Sequence, residues 1–401
     1  MIAITKKNLF IYFLLNTSYC FSQKRINDSN EEQYSFVKYI EDQGKSRGVT
    51  VEQTIDGGYI LCGYTTDGDH GSEDILLIKT DRIGKIVWRK TYGGKGLDMG
   101  WAVRQCRDGG YIIAGYTDSY GQGMMDIYLV RTNSSGEVTW TKTIGGEKDE
   151  YGWDVRITKD QGFIIAGQTE SDGNGEIDAY LVKVGASGQE VWSQTYGGVA
   201  VDRVFSVQQD TDGGYIAAGI SYSYTSVGPE DRDGYVLKTD SLGKKLWSRT
   251  YGKDGYDVVH SISKTNDHGF ILTGYGDSYS QNGKKDVYLI KINDKGVIEW
   301  LNSLGSAQND RGIKGEQTKD GGYIAIGFTD ENWDMYLVRS DVNGNEKWIR
   351  SFGEKNNVDF GYTVRQTSDH GYILLGHSEE TNGTKSSVLL IKTDDLGRVN
   401  N

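Results

Sequence analysis

The sequence predicts an all-β fold: a single seven-bladed β-propeller with four antiparallel strands per blade, its ring closed by an N-terminal strand that joins the last blade. Three observations carry this. A Gly-aromatic pair recurs at Gly58-Tyr59, Gly110-Tyr111, Gly162-Phe163, Gly214-Tyr215, Gly269-Phe270, Gly322-Tyr323 and Gly371-Tyr372, in steps of 52, 52, 52, 55, 53 and 49 residues. Around each pair lie four short runs rich in Val, Ile, Tyr and Trp and bounded by Gly, Asp and Asn, with no helical period anywhere. A fourth-strand Trp recurs at Trp88, Trp140, Trp192, Trp247, Trp300 and Trp348 but is missing from the seventh unit, while Phe36 stands 52 residues before Trp88. Four strands in about 50 residues, repeated, mark a propeller. An open solenoid is the other reading of a repeat. It gives no reason for the first segment to supply what the last unit lacks, whereas a closed ring does, and closure also covers a strand edge.

The elements follow in order. Residues 1–22 read as an export signal: Lys6 and Lys7, an apolar run at 9–15 too short to span a bilayer, then small residues before Gln23. Acylation at Cys20 is the competing reading, against which Tyr19 stands. Residues 23–33 are polar and aperiodic and are expected to form a flexible leader; the propeller occupies 34–401. The second repeat shows the unit: strands at 100–106, Tyr111–Thr117, Asp126–Thr132 and 138–143, with tight turns at 108–110 and 133–136. No second long apolar stretch follows, so no transmembrane segment is expected.

Composition narrows the function. Glycine numbers 55 of 401 residues, proline 1 and cysteine 3, which excludes collagen and a disulfide scaffold. Cys62 and Cys106 are expected as buried free thiols. The net charge of -12 argues against nucleic acid, whose phosphates need Lys and Arg. A monomer is expected.

The turn from third to fourth strand reads Asp81-Arg-Ile-Gly84 before Trp88, Asp240-Ser-Leu-Gly243 before Trp247, and Asp341-Val-Asn-Gly344 before Trp348. This is similar to the tryptophan-docking repeat of the quinoprotein-like (PQQ-like) propellers, with the Asp-to-Gly spacing one residue shorter. The resemblance spans residues 34–401. It implies that each Trp packs between neighbouring blades. It does not extend to the cofactor, because the vicinal Cys pair and eighth blade of the quinoprotein dehydrogenases are missing. No cofactor is therefore expected.

The chain path puts the loops after second and fourth strands on one face, and that face is acidic. Asp74, Asp126, Asp178, Asp233, Asp286 and Asp334 begin third strands; Asp98, Glu150, Asp202, Asp257, Asp310 and Asp359 precede first strands. A feature present in nearly every blade solves a blade-level problem, here backbone N–H groups in Gly-rich loops. One loop also has the spacing of the start of a calcium loop: Glu170, Asp172, Asn174, Glu176 and Asp178, with Gly175 at the sixth position but Leu181 where a bidentate Glu belongs.

Function is sought where the repeats disagree. One position of the innermost strand reads Val49, Trp101, Trp153, Phe205, His260, Ile313 and Tyr362; the next reads Thr50, Ala102, Asp154, Ser206, Ser261, Lys314 and Thr363. Aromatics near the axis stack on sugars or pack between blades, and Asp154 and Lys314 are odd charges among small residues. His260 lacks a metal-spaced partner. The long loop 221–232, with Tyr222, Tyr224 and Pro229, is the asymmetric contact candidate. No metal-binding His pair, nucleophile elbow or phosphate loop exists. The expected role is an exported binding module, in the periplasm, on the cell surface or outside, for a glycan or protein ligand. A glycoside hydrolase using two carboxylates of the acidic face and an envelope assembly scaffold are the alternatives.

Overall fold

A computed structural model of the protein describes residues 22–26, 32–225, 228, 231–280, 284–330 and 333–399. Apart from Ser22, the signal segment with Cys20 lies outside the described residues, as does Pro229. The described residues contain strands and turns and no helix, hence no helix long and apolar enough to cross a membrane.

The strands form seven antiparallel sheets. Blades 1 to 6 each contain four consecutive strands, as in Asp98–Gln105, Tyr111–Thr117, Asp126–Thr132 and Val138–Ile144 of blade 2. Blade 7 takes Asn357–Gln366, Tyr372–Glu380 and Ser386–Thr393 from the end of the chain and Glu32–Ile40 from its start, with Phe36 opposite Lys392 and Ile40 opposite Val388. The ring is thus a seven-bladed β-propeller, closed as the sequence predicts. Overlapping the stretch expected as a flexible leader, Ser22–Ile26 pairs with residues 32–36 as a fifth strand. A polar composition does not prevent pairing on an outer edge, where one face meets water.

Neighbouring blades are held by repeated contacts. Each fourth-strand Trp lies over the turn glycine of the next blade: a Cβ on Gly136 would be 3.0 Å from Trp88 Cζ3, and one on Gly344 would be 2.5 Å from Trp300 Cζ3. The same ring meets the next blade's Gly-aromatic residue, as in Trp192–Tyr215 at 5.7 Å and Trp300–Tyr323 at 5.2 Å. Phe36 occupies this position for blade 1, against Tyr59 and Gly84. The core lies between sheets rather than in one centre: Ile112 and Leu129 of blade 2 share a cluster with Val155 and Ile165 of blade 3. Cys62 and Cys106 are buried free thiols.

A second repeated device explains the Gly of the Gly-aromatic pair. The third-strand cation of each blade pairs with the Asp of that blade's first tight turn: Lys79–Asp56 at 2.9 Å, Arg131–Asp108 at 2.6 Å, Lys183–Asp160 at 3.0 Å, Lys238–Asp212 at 3.0 Å, Lys291–Asp267 at 2.9 Å, Arg339–Asp320 at 2.5 Å and Lys392–Asp369 at 2.9 Å. In six of the seven blades the cation crosses the space that a side chain at the paired glycine would fill, together with a third-strand carbonyl; a Cβ on Gly58 would lie 2.2 Å from Thr80 O and 2.5 Å from Lys79 Nζ.

Candidate functional site

The innermost strands of all seven blades carry a bulge at the same place, between Gly48 and Thr50, Gly100 and Ala102, Gly152 and Asp154, and equivalently around the ring. A bulge sets two residues against one and re-aims side chains. Both rows singled out in the sequence therefore line the axis. They enclose a cavity of about 310 Å³ that takes a wall residue from every blade.

Trp101, Trp153, Phe205, His260 and Tyr362 are half-buried and form its upper wall. They pack on one another around the axis: Trp101–Trp153 edge-on at 4.8 Å, Trp153–Phe205 at 6.3 Å, Phe205–His260 stacked at 5.2 Å. Inter-blade packing and lining of the cavity are thus the same arrangement. Burial, reinforced by Arg232 and Arg311, drives the His260 imidazole down to about 4, so it is neutral at pH 7. His377, which the sequence reading missed, stacks behind Tyr362 at 5.6 Å, with both ring nitrogens buried and unpartnered.

Below the aromatics lies a charged layer. Asp154 accepts from Arg104 at 2.5 Å, Arg156 at 3.2 Å and the Val155 and Val207 N–H groups. Burial pushes its carboxyl upward, but Arg156, Arg104 and Lys314 outweigh this and hold it at about 2. One layer down, Arg104 also meets Glu52 at 3.2 Å and Arg365 meets Glu316 at 2.7 Å. Lys314 has no such partner: among the described residues its ammonium makes no hydrogen bond or ion pair, and burial followed by the nearby Arg365 and Arg104 pushes it well below the usual lysine range. Arg203, at the same cavity, is likewise unpaired, with a buried Nε lacking an acceptor. The sequence did hold a signal for this layer: three positions beyond the aromatic row the repeats read Glu52, Arg104, Arg156, Gln208, Ser263, Glu316 and Arg365, a second disagreement in charge.

The other candidates lie elsewhere. Tyr222 accepts from Arg232 at 3.1 Å and joins a cluster that packs against Phe205, outside the cavity lining. Tyr224 donates to Gly197 O at 2.7 Å and lines a separate groove with Tyr235 and Tyr251. The calcium-loop residues do not converge. Asp178 accepts from the Asn174 and Gly175 N–H groups at 2.8 and 3.1 Å, while Asp172, Asn174 and Glu176 point to solvent. Among the described residues no group of three or more His, Cys, Asp or Glu side chains is placed to hold a metal.

The acidic face works through backbone donors. Asp98 accepts from Gly94 N–H at 2.7 Å, Asp126 from Gln122 N–H at 3.0 Å and Asp202 from Gly198 N–H at 2.8 Å. The acids stand in pairs across blade junctions, so burial, backed by the neighbouring acid, raises Asp74, Asp126, Asp178, Asp310 and Asp359 above the ordinary range.

No family model matches the chain. Regulatory protein FlaEY of Caulobacter vibrioides is 24% identical over 175 residues, which is 37% of this chain and 18% of that protein. Solved structures share the fold. YCF48 bound to D1 peptide superposes with a TM-score of 0.53 at 10% identity, covering 90% of this chain and 95% of that one. The WD40 domain of Neurospora crassa Pan2 gives 0.52 at 11% identity, covering 88% and 90%. Polysaccharide lyase Uly1 gives 0.51 at 9% identity, covering 87% and 90%. At these identities the likeness is one of fold: the chain is a β-propeller, an architecture commonly used as an interaction module.

Proposed function

We propose that this protein is a binding module whose axial cavity receives a glycan residue. The observation that carries the reading is the half-buried aromatic wall, Trp101, Trp153, Phe205 and Tyr362, around a cavity of about 310 Å³. That size is at the small end of ligand pockets, roughly 300–1,000 Å³, and suits a single sugar ring. Aromatic faces stack on the apolar face of such a ring. Trp153 Nε1, buried without an acceptor, supplies a donor for a hydroxyl.

A hydrolase would have to use the paired carboxyls of the acidic face, because the axial cavity offers it no such pair. A glycosidase needs one carboxyl able to carry a proton and a second nearby. Asp154 is the one acid that lines the cavity, and two arginines keep it ionised. The Trp docking between blades supports kinship with the quinoprotein-like propellers, without their cofactor. Residues 1–22 support export to the cell envelope or beyond.

Thermal unfolding against a panel of neutral and acidic oligosaccharides tests the reading. A ligand at a hundred times its dissociation constant stabilises by about 2.7 kcal/mol, a visible rise in melting temperature. We expect such a rise with one glycan class and its loss in Trp153→Ala. No shift with any glycan contradicts the proposal.

A further inference from the structure

The carboxylates that line or underlie the axial cavity are already matched. Asp154 serves Arg104 and Arg156; Glu52 serves Arg104 and the Gln105 N–H; Glu316 serves Arg365 and the Gln366 N–H. Two basic side chains are left over. Lys314 and Arg203 line the cavity and make no hydrogen bond or close ion pair among the described residues; the Arg203 Nε is buried without an acceptor, and the acids that act on them, Asp154 on Lys314 and Glu170 on Arg203, do so without contact. Arg156 Nη2 and Trp153 Nε1 are further buried donors without acceptors. A buried donor without a partner costs free energy, and a buried unpaired charge costs more. A fold that places several such donors at one cavity and uses up every acid beside it is organised for an acceptor that arrives from outside. Asp154 rules out a second use of this cluster as a cation site, since its two arginines already saturate it.

Resting on the axial cavity as the ligand site, we infer that the sugar bound there is a monoanion, a uronate or a monosulfated sugar, whose charged group is held by Lys314 with Arg203 while its ring meets the aromatic wall. The aromatic wall favours a sugar over an acidic peptide. Lys314 therefore exists for the ligand at the expense of the empty fold. Removing it should stabilise the free protein: Lys314 is half-exposed to the cavity, yet burial and the nearby Arg365 and Arg104 disfavour its charge more than Asp154 favours it, so an apolar group of similar length relieves that cost.

The test uses the full chain, with oligomers of galacturonate, glucuronate and mannuronate, their carboxyl-reduced neutral counterparts, sulfated galactan oligomers and a poly-glutamate peptide. Calorimetric titration is expected to show an anionic oligomer binding at least tenfold more tightly than its neutral counterpart. That preference should be lost in Lys314→Met, kept in Lys314→Arg and weakened in Arg203→Gln. The uronate and sulfate arms identify the anion. Lys314→Met without ligand is expected to melt above the wild type. Equal affinity for neutral and anionic oligomers overturns the inference and leaves the axial binding reading standing. Tighter binding of the peptide than of any sugar overturns the choice of a sugar. Lack of binding to every oligomer overturns both readings. A lower melting point for Lys314→Met shows that the lysine serves the fold and also overturns the inference.

Discussion

At the scale of single residues, charge placement separates structural groups from those free to act. A basic residue recurs five positions after the start of each third strand, as at Lys79, Arg131 and Lys183, but spacing alone does not give its partner. The sequence offers Lys79 an acid five residues earlier, Asp74, but period two puts the two on opposite faces of the strand. The partner is Asp56, 23 residues away in the turn that leads to the adjacent strand. His377 gives a prediction at this scale. Burial, with Arg47 adding to it, holds its imidazole at about 3, far below the 6.5 of a free histidine. A histidine kept neutral by the fold binds its proton only in the unfolded chain between these values. Its contribution is present above pH 6.5 and is lost as pH falls toward 3, about 1.4 kcal/mol per pH unit at most. In urea titrations His377→Phe should therefore gain stability relative to the wild type from pH 6.5 down to 4. A difference that does not change with pH contradicts this.

At the scale of elements, the fourth-strand Trp is what turns separate sheets into a ring. The Asp-to-Gly turn and the Trp were both legible, and the resemblance to docking repeats gave the contact. Trp192 packs on Gly243 and Tyr215 of the next blade, and its indole N–H reaches Ser241 O at 3.3 Å. It is half-buried, so Trp192→Ala should cost about 2–3 kcal/mol, below the roughly 3–5 kcal/mol of a fully buried aromatic. Chemical denaturation checks this, and a loss under 1 kcal/mol would place the blade adhesion elsewhere. The innermost strands were less legible. Nothing in their composition marks the bulge after Gly100 or Val204, since a bulge depends on the partner strand and the curvature of the ring. The equivalent bulge after Gly152 sends both Trp153 and Asp154 to the axis. Both rows are legible because their residues vary, Asp154 and Lys314 included, whereas Arg203 and the row of Arg104, Arg156 and Arg365 depend on the strand's true pitch.

At the scale of the whole molecule, closure is the decisive property. The strand Glu32–Ile40 completes blade 7, with Phe36 fully buried. Around the remaining seam Thr363 Oγ1 donates to Val49 O at 2.8 Å, and Arg47 pairs with Glu379 at 2.8 Å. A chain beginning at Gln43 should melt well below one beginning at Glu31, since about five ladder hydrogen bonds at very roughly 1 kcal/mol each are lost along with the Phe36 contact. Equal melting temperatures would contradict closure by this strand. A closed ring also leaves one axis, and there the seven repeats differ most in chemistry. The central claim is that ligand binds on that axis. Hydrogen exchange of the protein with and without the tightest glycan tests it most directly. Axial binding should add protection to the innermost strands Glu150–Ile157, Asp202–Gln209 and Asp310–Gln317 and leave the outer strands unchanged. Protection confined to outer strands such as Lys245–Tyr251, beside the Tyr224 groove, would contradict it.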